Sequence, residues 1–264
     1  MSEIRVIIHG AAGRMGVEVL RAVCADPGLV AVGAVDVTAG GDLALPDGSG
    51  LIPFSSDVAD IINRTKPDVM VDFTTHAVTM PAVLSAIQNG VRPVIGTTGQ
   101  SAQEMDEIAA LCEQTGTGAF MAPNFSLGAV MMMHLSKIAA KYFDYAEIIE
   151  LHHEKKLDSP SGTAMLTAKD IVESRGKPFL HTDSEKETLD GARGGNYEGV
   201  SVHSVRLPGY LAHQEVIFGS LGQTLKIRHD SINRESFMPG VVLAVKEVMK
   251  LDSLIIGLDK LLGL

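Results

Sequence analysis

Apolar positions in the first half of the chain fall into two alternating patterns. Ile4–His9, Leu29–Val35, Val69–Thr74, Pro93–Gly96 and Gly118–Ala122 are short apolar runs, several of them rich in β-branched residues. Short runs of this kind, bounded by turn residues, predict strands buried on both faces. Between them, Val17–Ala25, Val58–Arg64, Val78–Asn89 and Ala102–Gln114 carry helical patterns. Strands that alternate with helices predict a doubly wound parallel sheet. Gly40–Pro53, rich in glycine, proline and aspartate, predicts a mobile loop.

The pattern changes after residue 126. Leu127–Lys141 predicts a helix in which the run Met131-Met132-Met133 reads as core packing. Tyr145–Leu151 predicts a strand, and Ala164–Ser174 a helix. Phe179–Glu198 is polar and predicts an exposed, mobile loop. Val200–Arg206, Glu215–Ser220 and Thr224–Arg228 follow as strands, the last two joined by the hairpin turn Ser220–Gln223. Few long helices separate these strands, so the second half predicts an α+β domain with an antiparallel or mixed sheet. Phe237–Lys250 predicts a helix that returns to the first domain. The expected division is 1–126 plus 234–264 for one domain and 127–233 for the other. An open sheet in the second favours pairing with copies of the same chain.

The first strand ends in Gly10-Ala11-Ala12-Gly13-Arg14-Met15-Gly16, and a helix follows. Strand, glycine turn and helix in that order are the context of a dinucleotide fingerprint, so the first domain is expected to be Rossmann-like. Gly10 permits the sharp turn, Gly13 the approach of a pyrophosphate, and Gly16 close packing of helix on sheet. Asp36, at the end of the second strand, is placed to accept hydrogen bonds from the adenosine ribose. A carboxylate there repels a 2′-phosphate, and Val37, Thr38 and Ala39 offer no cation to bind one. This favours NADH, with Arg14 the candidate that leaves NADPH open. Ligands of doubly wound sheets sit at the carboxyl ends of the strands. Phe73-Thr74, Gly96-Thr97-Thr98 and Ala122-Pro123-Asn124-Phe125 all fall there and are expected to line the nicotinamide side.

The stretch Glu150–Ala164 concentrates the chemistry of the second half. It holds His152, His153 and Lys156, then Ser161-Gly162-Thr163 at a predicted helix start. Such a start has unpaired N–H groups and partial positive charge, and it receives anions. With the lysine and histidines it predicts a pocket for a small acid with more than one carboxylate. An imidazole supplies a proton near neutral pH. His213 and His229 are expected to be structural. No H-E-x-x-H spacing occurs and no cysteine lies near, so no metal is expected.

Bulk properties narrow the partners. The 264 residues are 45% apolar and carry a net charge of -10, which argues against nucleic acid or an anionic membrane surface as the main partner. Cys24 and Cys112 have no CxxC neighbour, so a disulfide framework or zinc knuckle is not expected. The first apolar run is short and unlike a signal peptide, and no stretch of about 18 apolar residues is present. The expected compartment is the cytoplasm.

Taken together, Gly10–Gly16, Asp72-Phe73-Thr74, Gly96-Thr97-Thr98-Gly99, Ala122–Ser126 and Glu150–Ala164 resemble the 4-hydroxy-tetrahydrodipicolinate (dihydrodipicolinate) reductase family. Ser204–Gly209 and His213–Val216 also look like its later strands. The motifs run in the family's order through nearly the whole chain. The resemblance implies reduction of a cyclic hydroxylated imine dicarboxylate with NADH or NADPH and loss of water, in diaminopimelate and lysine synthesis. It implies His152 as the acid/base residue, Lys156 as proton donor or electrostatic stabiliser, and His153, Ser161, Gly162 and Thr163 as ligands of the substrate. Gly10, Ala11, Ala12, Gly13, Arg14, Met15, Asp36, Phe73, Gly96–Thr98 and Ala122–Phe125 would hold the cofactor, and the assembly would be a homotetramer. Many members carry an arginine soon after the second-strand acid, and this chain does not. Two alternatives stand beside this: another NAD(P) oxidoreductase of amino-acid synthesis, and a non-catalytic nucleotide sensor.

Overall fold

A computed structural model describes residues 3–182 and 186–264. Residues 183–185, inside the expected polar loop Phe179–Glu198, lie outside the described residues. In chain order the elements are β1 (Ile4–His9), α1 (Arg14–Ala25), β2 (Leu29–Val35), β3 (Gly41–Ala44), β4 (Leu51–Ser55), α2 (Val58–Thr65), β5 (Val69–Asp72), α3 (His76–Gln88), β6 (Arg92–Ile95), α4 (Ala102–Thr115) and β7 (Ala119–Met121). Then come α5 (Leu127–Ala140), β8 (Tyr145–His152), α6 (Gly162–Arg175), β9 (Gly195–Tyr197), β10 (Val200–Arg206), β11 (Ala212–Ser220) and β12 (Gln223–Ser231). After a 3₁₀ turn at Arg234–Phe237, α7 (Met238–Val248), β13 (Leu254–Ile256) and α8 (Leu258–Leu262) complete the chain. Two compact units result: Met1–Leu127 with Phe237–Leu264, and Gly128–Ser236.

The first unit is an α/β layer structure around an eight-stranded sheet of order β13-β7-β6-β5-β1-β2-β4-β3. Every pairing is parallel except β3 with β4. Val6, Ile7 and Ile8 of β1 and Val69, Met70 and Val71 of β5 have no solvent exposure. That is why both strands read as continuous apolar runs, as strands covered on two faces must. Ile61, Val83, Ile87, Ile108 and Cys112 from the helices pack on one side of this sheet. Each large aliphatic side chain so buried contributes about 1.5–3 kcal/mol. The expected mobile loop Gly40–Pro53 is corrected here: β3 and the start of β4 lie in it and pair as an antiparallel hairpin. Local signals bound α4 at both ends. Ser101 and Glu104 form a reciprocal capping box at the start of α4, and Gly116 ends it in the left-handed region.

The second unit holds a mixed five-stranded sheet of order β12-β11-β8-β10-β9. β8 pairs parallel with β10 and antiparallel with β11, and α6 forms the crossover that a parallel pair needs. Ala146, Ile148, Val202, Val216 and Phe218 face Met132, Ala139, Ala164, Ala168 and Ile171 in one core. Of the run Met131–Met133, expected to be core, Met132 and Met133 pack into it, whereas Met131 is exposed. Ile149 and Ile217 alternate with these buried positions and are only partly covered. Phe179, at the edge of the expected polar loop, is 4% exposed and belongs to the core.

Cys24 and Cys112 are free thiols. Among the described residues no helix is long and apolar enough to cross a membrane, and no group of His, Cys, Asp and Glu is placed to hold a metal ion.

Candidate active site

The glycine turn after β1 is built by contact. Gly10 has φ +85°, and a Cβ there would lie 2.5 Å from the Phe73 carbonyl oxygen and 2.9 Å from Thr74 Cγ2. A Cβ on Gly16 would overlap the Gly10 carbonyl, so α1 lies against the turn only because that position is bare. Gly13 is the N-cap of α1 and supplies no side-chain acceptor. The first turn of a helix has N–H groups with no intrahelical partner, and these remain available to an anion. Asp36 follows β2, and its carboxylate accepts from Ala12 N at 3.1 Å, Thr38 N at 3.1 Å and Thr38 Oγ1 at 3.0 Å. The turn and the acid are thus locked together. They open on a cavity of about 690 Å³ lined by Gly10, Gly13, Asp36, Asp57, Phe73 and Val78 among others. Its lining includes neither lysine nor arginine.

The strand ends beside that cavity are tied by a buried carboxylate. Asp72, with no exposure, accepts from Thr74 Oγ1 at 2.8 Å, Thr79 Oγ1 at 2.9 Å and Thr97 Oγ1 at 2.6 Å. His9 Nδ1 stands 2.7 Å from the same carboxylate but off the line of a hydrogen bond. Thr97 Oγ1 also accepts Thr74 N at 2.9 Å, which joins the ends of β5 and β6. Phe73 packs on Phe125 at 5.5 Å between ring centroids, and Gly96 leaves the space its ring fills.

Of the residues expected to hold a cofactor, Gly10, Gly13, Asp36 and Phe73 line the cavity. Ala11 and Ala122 are buried, as is the ring of Phe125. Ala12, Arg14, Thr98 and Pro123 are exposed, and Met15 and Gly96 are half-buried. The Thr97 hydroxyl is engaged by Asp72, and Asn124 Oδ1 accepts Ser126 N at 2.9 Å.

In the second unit, β8 carries Glu150 and His152 on one face. Glu150 is fully buried and His152 is partly covered. His152 Nδ1 lies 2.5 Å from Glu150 Oε2. Arg206, the register partner of His152 on β10, donates Nη1 to Oε2 at 2.9 Å and Nη2 to Oε1 at 2.8 Å. Ser161 N donates to Oε1 at 3.2 Å. Burial would raise the Glu150 carboxyl, but hydrogen bonds from His152, Arg206 and Ser204 outweigh it and hold it at about 2. Arg206 Nη2 also donates to the Asp158 carbonyl at 2.6 Å, and Lys156 Nζ donates to Asp158 Oδ1 at 2.7 Å. The Lys156 ammonium keeps the Asp158 carboxyl below its ordinary range.

Ser161 caps α6 by accepting Ala164 N at 3.2 Å, and a Cβ on Gly162 would meet open space. Thr163 is half-buried and its carbonyl accepts Thr167 Oγ1 at 2.8 Å. The cis bond Ser159–Pro160 lies within the predicted turn. His153 Nδ1 accepts Lys155 N at 3.2 Å. His152, Lys156 and the start of α6 are therefore joined through Glu150, Arg206 and Asp158. Sequence reasoning named neither Glu150 nor Arg206 as functional. Their spacing of 56 residues gave no signal, although Glu150, two positions before His152, shares its side of a strand. His213 and His229 belong to β11 and β12. His213 Nδ1 lies 2.5 Å from Asp230 Oδ1, and the His229 ring lies against Gly128.

Residues 4–125 match the family model for the dihydrodipicolinate reductase N-terminus, and residues 128–262 that for its C-terminus. The chain belongs to the dihydrodipicolinate reductase family. Its relatives include the 4-hydroxy-tetrahydrodipicolinate reductase of Dehalococcoides mccartyi strain BAV1, 54% identical with all of both chains covered. That of Bacillus subtilis strain 168 is 48% identical over 98% of each. A dipicolinate-bound dihydrodipicolinate reductase from Paenisporosarcina sp. TG-14 superposes with a TM-score of 0.87 at 43% identity, over 98% of this chain and 99% of that one. An amine dehydrogenase from Mycobacterium smegmatis, 17% identical at a TM-score of 0.68, covering 98% of this chain and 96% of its own, shares the fold. The protein is thus an oxidoreductase of this reductase family, and its first unit is a nucleotide-binding Rossmann fold.

Proposed function

We propose that the chain reduces (2S,4S)-4-hydroxy-2,3,4,5-tetrahydrodipicolinate to tetrahydrodipicolinate with NADH or NADPH, water being lost, in the synthesis of diaminopimelate and L-lysine. The observation that carries this reading is the joining of His152, Lys156 and the open N-terminus of α6 in one hydrogen-bonded cluster. The reduced nicotinamide supplies the hydride. The chain supplies grip, charge and a proton.

The turn Gly10–Met15, with Gly13 as a bare N-cap, fits a pyrophosphate, and Asp36 fits a ribose diol. Ala122–Phe125 and Gly96–Thr98 frame the nicotinamide side. In the second unit the N–H groups of Gly162 and Thr163 receive one substrate carboxylate, with His153 and the Ser161 cap beside it. Lys156 stabilises the negative charge that builds on the ring nitrogen. His152 delivers the proton from Nε2, since its Nδ1 faces Glu150. The relative crystallised with dipicolinate supports a planar dicarboxylate as occupant. The Asp36 carboxylate and a cavity lining without lysine or arginine support NADH over NADPH.

The open face of the five-stranded sheet supports a homotetramer. It carries Ile149 and Ile217 beside the pairs Glu147–His203 and Glu215–Arg228. We place the enzyme in the cytoplasm, with no nucleic-acid or membrane partner.

Absorbance of the reduced nicotinamide tests the reaction. Oxidation is expected only when the cyclic imine dicarboxylate is supplied, and oxidation with unrelated imines instead would overturn the assignment. Lys156→Ala is expected to lower kcat by roughly 10²-fold or more while NADH affinity stays near wild type. Undiminished turnover in that variant would remove Lys156 from the scheme.

A further inference from the structure

The scheme above uses His152 and Lys156 and leaves a buried ion pair beneath them without a task. Glu150 is fully buried, and Arg206 meets it with both arms of its guanidinium at 2.8 and 2.9 Å. Burying such a pair is costly, and apolar side chains of similar volume often serve stability equally well or better. Stability alone therefore does not account for its presence.

Its geometry does. Glu150 Oε2 lies 2.5 Å from His152 Nδ1, so Nδ1 keeps its proton against the carboxylate and the outward Nε2 takes up and delivers the mobile proton, the carboxylate stabilising the imidazolium in between. Arg206 is held by Glu150 on one side and by the Asp158 carbonyl on the other. Asp158 in turn holds the Lys156 ammonium at 2.7 Å. One planar fork thus connects the support of the imidazole to the loop that presents the ammonium. A lysine at 206 would carry the charge but not both directed contacts.

We propose that Glu150 and Arg206 are positioning residues for the reduction. Glu150 sets the tautomer of His152, and Arg206 fixes the spacing of His152 and Lys156 by bridging Glu150 to Asp158. This rests on the reading of His152 as the group that moves the proton.

Glu150→Gln tests the first part. The amide keeps the shape, and with its oxygen drawn to Arg206 it turns an N–H toward Nδ1, which forces the other tautomer. The expected result is a fall in kcat on the order of 10²-fold or more with the KM for NADH unchanged. Nitrogen NMR of His152, assigned by loss of its signals in His152→Ala, is expected to show the proton moved from Nδ1 to Nε2. Wild-type kcat, or a lowered kcat with the tautomer unmoved, overturns the role of Glu150.

Arg206→Lys tests the second part and retains the charge that Glu150 needs to stay folded. It is expected to lower kcat while leaving the His152 tautomer and NADH affinity as in wild type; unchanged kcat overturns the bridge. Circular dichroism at neutral pH, unchanged from wild type, certifies that the second unit of each variant is folded. Full turnover in His152→Ala would defeat the reading of His152 itself. Loss of turnover there, with Glu150→Gln at wild-type rate, defeats only the present inference.

Discussion

Asp36 and Glu150 are both carboxylates held by several donors, and their surroundings differ: one lines a cavity and the other is fully buried. Asp36 lines a cavity, fixed by Ala12 and Thr38, with acceptor capacity left that the proposed ribose contact would use. Asp36→Ala is expected to weaken NADH by roughly 10–100-fold, the worth of hydrogen bonds to a charged group, and NADPH by less. Equal losses in a titration of both cofactors would mean that the carboxylate serves only the glycine turn. Glu150 has no such vacancy. Its carboxyl is held at about 2, well below the ordinary 4.5, so the native state stays unprotonated where the unfolded chain takes up a proton. Its stabilisation is present above about 4.5 and is lost as pH falls toward 2. Acid unfolding followed by circular dichroism is expected to show wild type losing its advantage over Glu150→Gln across that window. A constant difference down to pH 2 would contradict the direction of the shift.

At the scale of elements, the join of β1 to α1 rests on positions that accept no side chain. Gly10→Ala combines a left-handed backbone with overlap against Phe73, whereas Gly90, at φ +74°, has open space around it. Gly90→Ala is expected to cost about 1–2 kcal/mol in strain alone, and Gly10→Ala clearly more, with loss of NADH binding. Equal melting temperatures in the two variants would show that the turn yields easily. Such joins were legible in the sequence because glycine spacing and β-branched runs are local signals. The pairing of β3 with β4 was not. Glycine, proline and aspartate dominate Gly40–Pro53, and the hairpin's stability comes from neighbouring strands rather than its own composition. β13 was missed for a related reason: three residues carry no period, and only β7 beside them makes a strand. In the candidate site His152, Lys156 and the α6 start stood in one readable segment, while Arg206 reaches Glu150 only through β10 lying beside β8. Tertiary register wrote that contact, and no single-strand pattern encodes it.

At the scale of the whole molecule, the proposed homotetramer is expected to form through the open sheet face of the second unit. Ile149 and Ile217 are half-covered there within a lattice of opposite charges. Sedimentation of the wild type is expected to give a tetramer. Ile217→Glu, which puts a carboxylate among the pairs, is expected to shift it to smaller species; an unmoved tetramer would place the interface elsewhere.

The first unit is made from both ends of the chain, with β13 the outermost strand beside β7. During synthesis, residues 128–236 are made before residues 254–256 exist. The nascent nucleotide-binding sheet therefore waits with the edge of β7 bare, open to pairing with another unfinished chain. The first unit is thus completed only after the whole of the second has been made.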